Sequence, residues 1–302
     1  MIIKSCKLET ILIDSRCLRK GILLHLTDDQ GNTATTEISP LPSYSVETLE
    51  QASLQLKQLE RKLLTTWWTK GALHYLSTLG LYPSVYSAVE TALLDLLDPI
   101  NQPSPCKRYA LLFGSPAEIL DRADEVAKEG FLDVKVKLGH FSIETAHSII
   151  SKLTGRFHLR LDLNRKWDLE DTMRFCSNYP PDFFEYIEEP TAIAADLLHF
   201  TYPFAMDESL RELTDLTPYL QSKHLKAFIL KPTMTYPITS YLNLGVDVVL
   251  TSSFESPIGI GQIERMIHRY GLSKSMHGLD SLRYFDNSHE PLPDCQMEKA
   301  ST

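Results

Sequence analysis

Five charged side chains recur at nearly constant intervals from residue 137 onward. They are Lys137, Asp162, Glu188, Asp207 and Lys231, and consecutive members lie 19 to 26 residues apart. A β-strand with its crossover helix needs roughly 20 to 30 residues. The spacing therefore predicts that each side chain occupies an equivalent position in successive strand–helix units, with three acids between two lysines.

Three carboxylates that converge on one site repel one another unless a cation joins them. Oxygen ligands favour a hard divalent ion, so the acids predict a Mg²⁺ site, with Mn²⁺ as the alternative metal. Taken singly, Asp162 and Asp207 are also typical helix N-caps, and Glu188 and Lys231 are typical surface residues. The regular order of all five favours a shared site over separate surface positions.

A second lysine precedes Lys137 in the stretch Asp133 to Gly139, where apolar residues alternate with Lys135 and Lys137. On a strand both lysines point to one face, because side chains alternate with period two. On its own this pattern is more typical of an exposed strand face. Beside the three acids, it indicates a pair of ammonium groups whose repulsion lowers the pKa of one lysine, which could then act as a base.

Short apolar runs followed by helical patterns repeat after residue 105, and they predict an α/β fold, a modified (β/α)₈-type barrel. The runs cover 109–113, 133–138, 158–163, 184–187, 204–206, 227–230, 246–250 and 273–277. The segment is short for such a barrel, so its helices must be brief. Active sites in these barrels lie at the C-terminal ends of the strands. Arg160, Asn164 and the hydroxyl-rich stretch 252–256 share that end in the sequence pattern.

The first hundred residues have a different texture and predict an α+β capping domain. Strands are expected at 6–13, 20–27 and 33–38, and helices at about 46–66 and 84–97. The predicted organisation is a capping domain over 1–100 with a contribution from the C-terminal tail, a catalytic barrel over 101–286 and a tail over 287–302.

Composition limits the function classes. The 302 residues carry a net charge of −9, which argues against broad nucleic-acid binding. Nucleic acid is therefore not an expected partner. No apolar run reaches the length of a membrane span, so a membrane is not an expected partner either, and a cytoplasmic protein is expected. Five scattered cysteines without a Cys-x-x-Cys pair are expected to be free thiols.

The motifs Lys-x-Lys, Arg-Leu-Asp-x-Asn, Glu-Glu-Pro, Asp-Glu-Ser and Lys-Pro together resemble those of the enolase superfamily, in its muconate-lactonizing subgroup. Longer strings are similar to the o-succinylbenzoate synthase family of menaquinone biosynthesis. They are EISPLP at 37–42, HLRLDLNRKW at 158–167, DESLRE at 207–212, LKPT at 230–233 and SSFES at 252–256. The resemblance runs from about residue 20 to 280. Leu163, Thr36 and the segment 281–284 depart from the family pattern.

The resemblance implies a metal centre with defined neighbours. Asp162, Glu188 and Asp207 would hold Mg²⁺, and Glu189 and Glu208 would lie behind these ligands. Arg160 and Asn164 would orient the ligands and the substrate.

The implied reaction is the dehydration of 2-succinyl-6-hydroxy-2,4-cyclohexadiene-1-carboxylate to o-succinylbenzoate through a metal-stabilised enediolate. Lys137 would remove the proton and then protonate the departing hydroxyl, while Lys135 lowers its pKa and contacts the substrate carboxylate. Lys231 would stabilise the enediolate from the other face. The stretch 252–256, with Ser252 and Ser253 as substrate-binding residues, would offer backbone N–H groups to the succinyl carboxylate, and a loop over 39–45 would close over the substrate.

Alternatives remain open at this level. Lysines on both faces also suit 1,1-proton transfer, as in an N-acylamino acid racemase or dipeptide epimerase. A metal-binding barrel without catalysis would keep the acids but would not need Lys137. A phosphate-binding barrel isomerase is disfavoured, because only Gly259 and Gly261 resemble its glycine-rich loop. The partner is expected to be a small-molecule carboxylate, and the sequence is compatible with a monomer or a homo-oligomer.

Overall fold

An antiparallel sheet begins the chain. The structure, a computed structural model, describes residues 1–100 and 105–285. Strands β1 (Ile3–Asp14), β2 (Arg19–Asp28) and β3 (Thr33–Ile38) pair in sequence order. Asp28 closes the second hairpin, since its Oδ1 accepts hydrogen bonds from the backbone N–H groups of Gln30 and Asn32 at 2.9 and 2.8 Å.

Two helices pack on this sheet. Helix α1 (Leu49–Thr65) starts with a capping box, in which the Thr48 side chain accepts from the Gln51 backbone and Gln51 bonds back to Thr48. Helix α2 (Pro83–Leu97) follows a 3₁₀ turn at Gly71–Thr78. The residues of α2 are buried from Ser84 to Leu93 because both the sheet and the barrel cover it. A hydrophobic core joins the sheet to both helices.

The remaining strands curve into a barrel. These strands are β4 Lys107–Arg108, β5 Ala110–Leu112, β6 Asp133–Lys137, β7 His158–Asp162, β8 Tyr186–Glu188, β9 Phe204–Met206, β10 Leu225–Leu230, β11 Asp247–Leu250 and β12 Met276–His277. A seven-stranded parallel sheet runs in the order β11, β10, β9, β8, β7, β6 and β5, and a two-stranded sheet pairs β12 with β4.

Contacts of β12 close the barrel between its first and last units. On one side, the Tyr109 N–H between β4 and β5 donates to the His277 carbonyl at 3.2 Å. On the other side, Thr251 and Gly278 form a parallel bridge. The interrupted strand β4–β5 is thus the first strand of the barrel and β12 is the eighth.

The barrel helices are brief, as the chain length requires. Full helices follow some strands, and single turns follow others. The bounds are α3 Pro116–Lys128, α4 Ile143–Leu153, α5 Leu169–Cys176, α6 Ser209–Glu212, α7 Thr217–Leu220 and α8 Pro257–Arg269, with 3₁₀ turns at Ala194–Leu198, Ile238–Ser240 and Leu282–Phe285. The helices cover a second hydrophobic core that surrounds the strands.

The barrel and the α+β front predicted from the sequence are confirmed, and strand β12 lies within the predicted eighth run at 273–277. The cysteine prediction is wrong at Cys17, which is disulfide-bonded, whereas Cys6, Cys106 and Cys176 are free. Spacing along the chain does not report which thiols meet in the fold. The predicted tail, 287–302, lies outside the described residues. Within the described ranges, no helix is long and apolar enough to cross a membrane.

Gly139, just after β6, allows the chain to pass close to the end of β7. A Cβ at this position would lie 1.9 Å from the Leu163 carbonyl oxygen and 2.6 Å from its carbon. We predict that Gly139→Ala lowers the free energy of unfolding in urea by about 1–3 kcal/mol or more, because the backbone must move.

Gly71→Ala is the matched control, since its Cβ would have no atom closer than 3.9 Å. An equal loss of stability in both variants would contradict the steric explanation.

Candidate active site

Strand register and strand ends bring the predicted charged residues together at the barrel mouth. Lys137 on β6 lies beside Asp162 on β7, and Asp162 lies beside Glu188 on β8. Asp207 follows directly after β9, and Lys231 follows directly after β10. The structure therefore brings together the five residues that the spacing predicted.

The lysines neutralise the acids unequally. The Lys135 Nζ lies 2.6 Å from Glu188 Oε1 and 2.9 Å from Asp162 Oδ2. Lys231 forms a close ion pair with Asp207. The Lys137 Nζ, by contrast, lies 4.0 Å from Asp162 Oδ2, and its side chain keeps 27% of its surface exposed. Of these three lysines, Lys137 is held least by carboxylates.

The surroundings of the two carboxyl groups on β7 and β8 shift their pKa values in opposite directions. Burial and the Asp162 carboxylate raise the pKa of Glu188 well above its ordinary value. Burial also opposes ionisation of Asp162, but Lys135 and Lys137 outweigh it and lower the pKa of that carboxyl. Glu188 is therefore the acid that most needs a cation to stay ionised.

The two paired lysines remain charged. Burial alone would lower the pKa of Lys135, but Asp162 and Glu188 outweigh burial and hold that pKa well above its ordinary value. Asp207 does the same for Lys231 against the cost of desolvation. Both ammonium groups are therefore fixed positive charges in the site.

The acids fit a divalent cation. Glu188 Oε2, Asp207 Oδ1 and Glu208 Oε2 are buried oxygens without a hydrogen-bond partner. Such atoms are costly unless a donor or an ion satisfies them. Within the described residues no group of three or more His, Cys, Asp or Glu side chains is arranged to hold a metal ion, and Lys135 and Lys231 pair with the other oxygens of Glu188 and Asp207. An ion with oxygen ligands would satisfy the unpaired atoms.

The Glu189 carboxylate supports the turn that carries Asp207. Its Oε1 accepts hydrogen bonds from the backbone N–H groups of Asp207 and Ser209 at 2.6 and 2.8 Å, and its Oε2 accepts from the Ser209 hydroxyl at 2.6 Å. Burial and the Glu208 carboxylate raise the pKa of Glu189 to about 7. These bonds fix the turn that carries Asp207.

Glu208 was expected behind the ligands, but its side chain lines the cavity at the barrel mouth. The chain is already helical at Glu208, directly after Asp207, and this turn presents Glu208 to the mouth. Asn164 lies beside it, with its Nδ2 at 3.4 Å from Glu208 Oε1, and the Asn164 N–H donates to Asp162 Oδ1 at 3.0 Å.

A cavity of about 300 Å³ lies above these groups. This is large enough for a small ligand. The capping domain contributes Leu41 and Tyr44 to its wall, as expected of the loop over 39–45. The barrel residues around it are Tyr109, Leu111, Phe113, Lys135, Lys137, His140, Asp162, Asn164, Lys166, Glu208, Lys231, Met234, Thr251, Ser252, Ser253, Phe254, Gly278, Asp280 and Ser281.

Ser252 and Ser253 line the cavity, and their backbone N–H groups are hydrogen-bonded within the protein. The Ser252 N–H donates to the Gly278 carbonyl at 2.9 Å, and the Ser253 N–H donates to Glu255 at 2.7 Å. The Phe254 N–H donates to the Ser252 hydroxyl at 2.8 Å. These N–H groups already donate hydrogen bonds that hold the loop, so a ligand at this wall would contact side chains.

Arg160 does not reach the barrel mouth. Its guanidinium pairs with Asp133 at 3.0 Å and Glu185 at 2.6 Å, which flank the start of their strands. It lies between the rings of Tyr109 and Tyr186, 5.4 and 5.7 Å from their centroids. The predicted role in orienting ligands and substrate is therefore not supported, because the side chain extends toward the opposite end of the barrel from Asp162.

Comparison with known proteins places the chain in a family. The model described as "Enolase C-terminal domain-like" matches residues 118–244, and the model "MenC, N-terminal domain" matches residues 6–96. An o-succinylbenzoate synthase of Salmonella dublin is 30% identical, covering 87% of this chain and 83% of the relative. The chain belongs to the o-succinylbenzoate synthase family.

Further members agree. An o-succinylbenzoate synthase of Pasteurella multocida is 29% identical, covering 91% of this chain and 86% of the relative. The solved structure of o-succinylbenzoate synthase from Thermosynechococcus elongatus BP-1, complexed with Mg in its active site, is similar in fold with a TM-score of 0.69. It is 20% identical, and the match covers 98% of both chains. The barrel with an N-terminal cap is thus the fold of this enzyme family, whose members are lyases.

The sequence reasoning missed several residues at the mouth. Phe113 directly follows β5, and the Lys137 Nζ lies 5.7 Å from its ring centroid. Its position one residue before Gly114, just after a strand, was the available signal. Arg19 is a buried cation that contacts the loop over 252–256, and Glu255 is a buried acid within that loop. No local pattern marked their roles.

We predict that Glu189→Ala weakens Mg²⁺ binding by about 10- to 100-fold, because the N–H groups that orient Asp207 lose their acceptor. Titration calorimetry on the folded protein measures this affinity. The control is Glu170→Ala, an exposed acid in the first turn of α5. Unchanged Mg²⁺ affinity in a folded Glu189→Ala protein would contradict the prediction.

Proposed function

We propose that the protein is a Mg²⁺-dependent hydro-lyase that converts 2-succinyl-6-hydroxy-2,4-cyclohexadiene-1-carboxylate to o-succinylbenzoate in menaquinone biosynthesis. The observation that carries the proposal is that, in this member of the o-succinylbenzoate synthase family, the three lysines of the site pair unequally with carboxylates. Lys135 and Lys231 are held by carboxylates, whereas Lys137 lines the cavity 4.0 Å from its nearest acid. A base must be able to lose its proton, and of these three lysines Lys137 is the one least closely paired with carboxylates.

Asp162, Glu188 and Asp207 are the residues proposed to hold Mg²⁺. Their charges and the unpaired oxygens Glu188 Oε2 and Asp207 Oδ1 support this choice. When bound, the ion would supply positive charge that offsets the second negative charge on the substrate carboxylate as the adjacent proton leaves.

Lys137 carries the proton in both halves of the proposed reaction. Its neutral Nζ takes the proton from the carbon next to the substrate carboxylate, and the electron pair of the C–H bond stays on the substrate. The resulting ammonium then gives a proton to the hydroxyl group as its C–O bond breaks. Water leaves, and the ring becomes aromatic without any oxidant or reductant.

Lys231 is proposed to act as a fixed cation from the other side of the site. Asp207 maintains its charge, and the side chain lines the same cavity as Lys137. A positive charge at this position favours the electron-rich form of the substrate without moving a proton.

The cap loop is proposed to exclude water from the reaction. Leu41 and Tyr44 line the cavity, and the Arg211 guanidinium of the barrel donates to the Tyr44 carbonyl at 3.1 Å. Ser43 has a φ of 66°, which turns the loop sharply over the mouth. The small carboxylate substrate and the cytoplasmic location expected from the sequence form part of the same proposal.

The dehydration assay tests the proposal directly. The purified protein with Mg²⁺ is expected to produce the new aromatic absorbance of o-succinylbenzoate, and EDTA is expected to abolish it until Mg²⁺ is restored. N-acylamino acids and dipeptides are assayed in parallel for racemisation or epimerisation. Turnover of those compounds without dehydration would replace the proposal by the two-lysine racemase alternative.

We predict that Lys137→Ala lowers kcat by about 10²- to 10⁴-fold, because no other described group is placed as the base. Lys137→Arg is expected to be equally inactive, since guanidinium does not lose its proton near neutral pH. Steady-state kinetics give kcat, and calorimetry with Mg²⁺ checks that the metal site survives. Substantial turnover in either variant would exclude Lys137 as the base.

A further inference from the structure

One wall of the cavity depends on a buried arginine from the capping domain. Arg19, the first residue of β2, is 4% exposed. Its Nη1 donates to the carbonyls of Ser253 and Phe254 at 2.9 and 2.6 Å, and its Nη2 donates to the carbonyl of Ser39 at 3.1 Å. A single guanidinium thus joins the barrel-mouth loop to the base of the cap loop.

The charge of Arg19 is balanced by acids from both parts of the protein. Burial lowers the pKa of the Arg19 guanidinium, and Glu255 of the mouth loop together with Glu37 and Asp14 of the capping sheet act in the opposite direction. A buried cation without nearby acids would be still more destabilising. The hydrogen bonds of Arg19 to carbonyls are of the stronger, charge-assisted kind.

Glu37 holds the other end of the same loop. Its carboxylate accepts hydrogen bonds from the Ser256 hydroxyl, from the Ser256 N–H at 3.2 Å and from the Gly259 N–H at 3.1 Å. These groups form the start of helix α8, where a negative charge is favourable. Gly259 leaves the necessary space, since a Cβ there would lie 3.0 Å from the Glu37 Cδ.

The fixed loop in turn shapes the site. Ser252, Ser253 and Phe254 line the cavity, and Phe254 has a φ of 61°, an unfavourable conformation for an aromatic residue. Glu255 accepts from the Ser252 hydroxyl at 2.7 Å and from the Thr233 hydroxyl at 3.1 Å. The loop is therefore also linked to the segment that follows Lys231.

We propose that Arg19 is a positioning residue for substrate binding: its guanidinium holds the Ser253 and Phe254 carbonyls and so keeps the cavity wall 252–254 in its binding conformation. Arg19 itself is not among the cavity-lining residues and takes no part in proton transfer. Because Arg19 acts on the cavity only through this wall, it is expected to affect substrate affinity more than the chemical step. This inference rests on the proposed dehydration for its kinetic readout.

Chemical rescue provides the kinetic test. Arg19→Ala is expected to raise KM by about tenfold or more while kcat changes by less than about threefold, because charge-assisted bonds that fix the wall are lost. Free guanidinium at a non-denaturing concentration is expected to enter the vacated space and lower KM again. Arg19→Met fills that space, so guanidinium should not rescue it. Arg174→Ala, at an exposed arginine, should show no change with or without guanidinium.

Hydrogen exchange gives a readout that does not require turnover. The amides of residues 252–256 should exchange faster in Arg19→Ala and recover protection with guanidinium, while barrel strands such as β7 stay unchanged. If Arg19→Ala does not fold, Arg19→Lys keeps the charge and should give intermediate KM and exchange.

The outcomes separate the two proposals. Wild-type protein that does not dehydrate the substrate overturns the proposed function, and the exchange experiment then still decides the role of Arg19. An active wild type with unchanged KM and unchanged exchange in the Arg19 variants overturns the positioning role alone. A KM increase that guanidinium does not reverse in Arg19→Ala also overturns it.

Discussion

The mutual repulsion of buried carboxylates at the barrel mouth is the constraint on which the site depends. Asp162 and Glu188 are register partners on β7 and β8, and Asp207 directly follows the neighbouring strand β9, so the three side chains come together at the mouth. Such a cluster is unfavourable unless cations accompany it. Lys135 and Lys231 supply part of that charge, and unpaired oxygens on Glu188 and Asp207 leave a place for a metal ion. Lys137 is the lysine of the three that is least closely paired with carboxylates.

Charge also connects the capping domain to the barrel. The side chains of Arg19 and Glu37 extend from the capping sheet. Arg19 binds backbone groups of the loop after β11, and Glu37 binds backbone groups at the start of α8. Farther away, the buried Glu90 of α2 accepts hydrogen bonds from Tyr236 and Tyr270 of the barrel. Removing one partner of such a contact would leave a buried charge unsatisfied. The cap is therefore joined to the barrel at several buried charged contacts, and its loop around Tyr44 lines the cavity.

Two residues on strand β7 have different roles because they lie at different heights in the barrel. Arg160 and Asp162 lie two residues apart on β7 and both face the barrel interior. Asp162 joins the lysines at the mouth, whereas Arg160 pairs with Asp133 and Glu185 near the strand starts. A two-residue rise of about 6–7 Å is enough to separate the two layers. Facing the same side is thus not sufficient to share a site.

The sequence by itself determined the local periodicities and the spacing of charged residues. Strand β3 and the strand β9 before Asp207 match their predicted bounds, and the interval of about one strand–helix unit identified Lys137, Asp162, Glu188, Asp207 and Lys231. These features are local or repeat along the chain. Only the tertiary structure placed Arg160 away from the mouth, brought Glu208 into the cavity and revealed Arg19 beneath the loop 252–256. Those positions depend on strand register and on contacts between residues more than 200 positions apart, which no local pattern encodes.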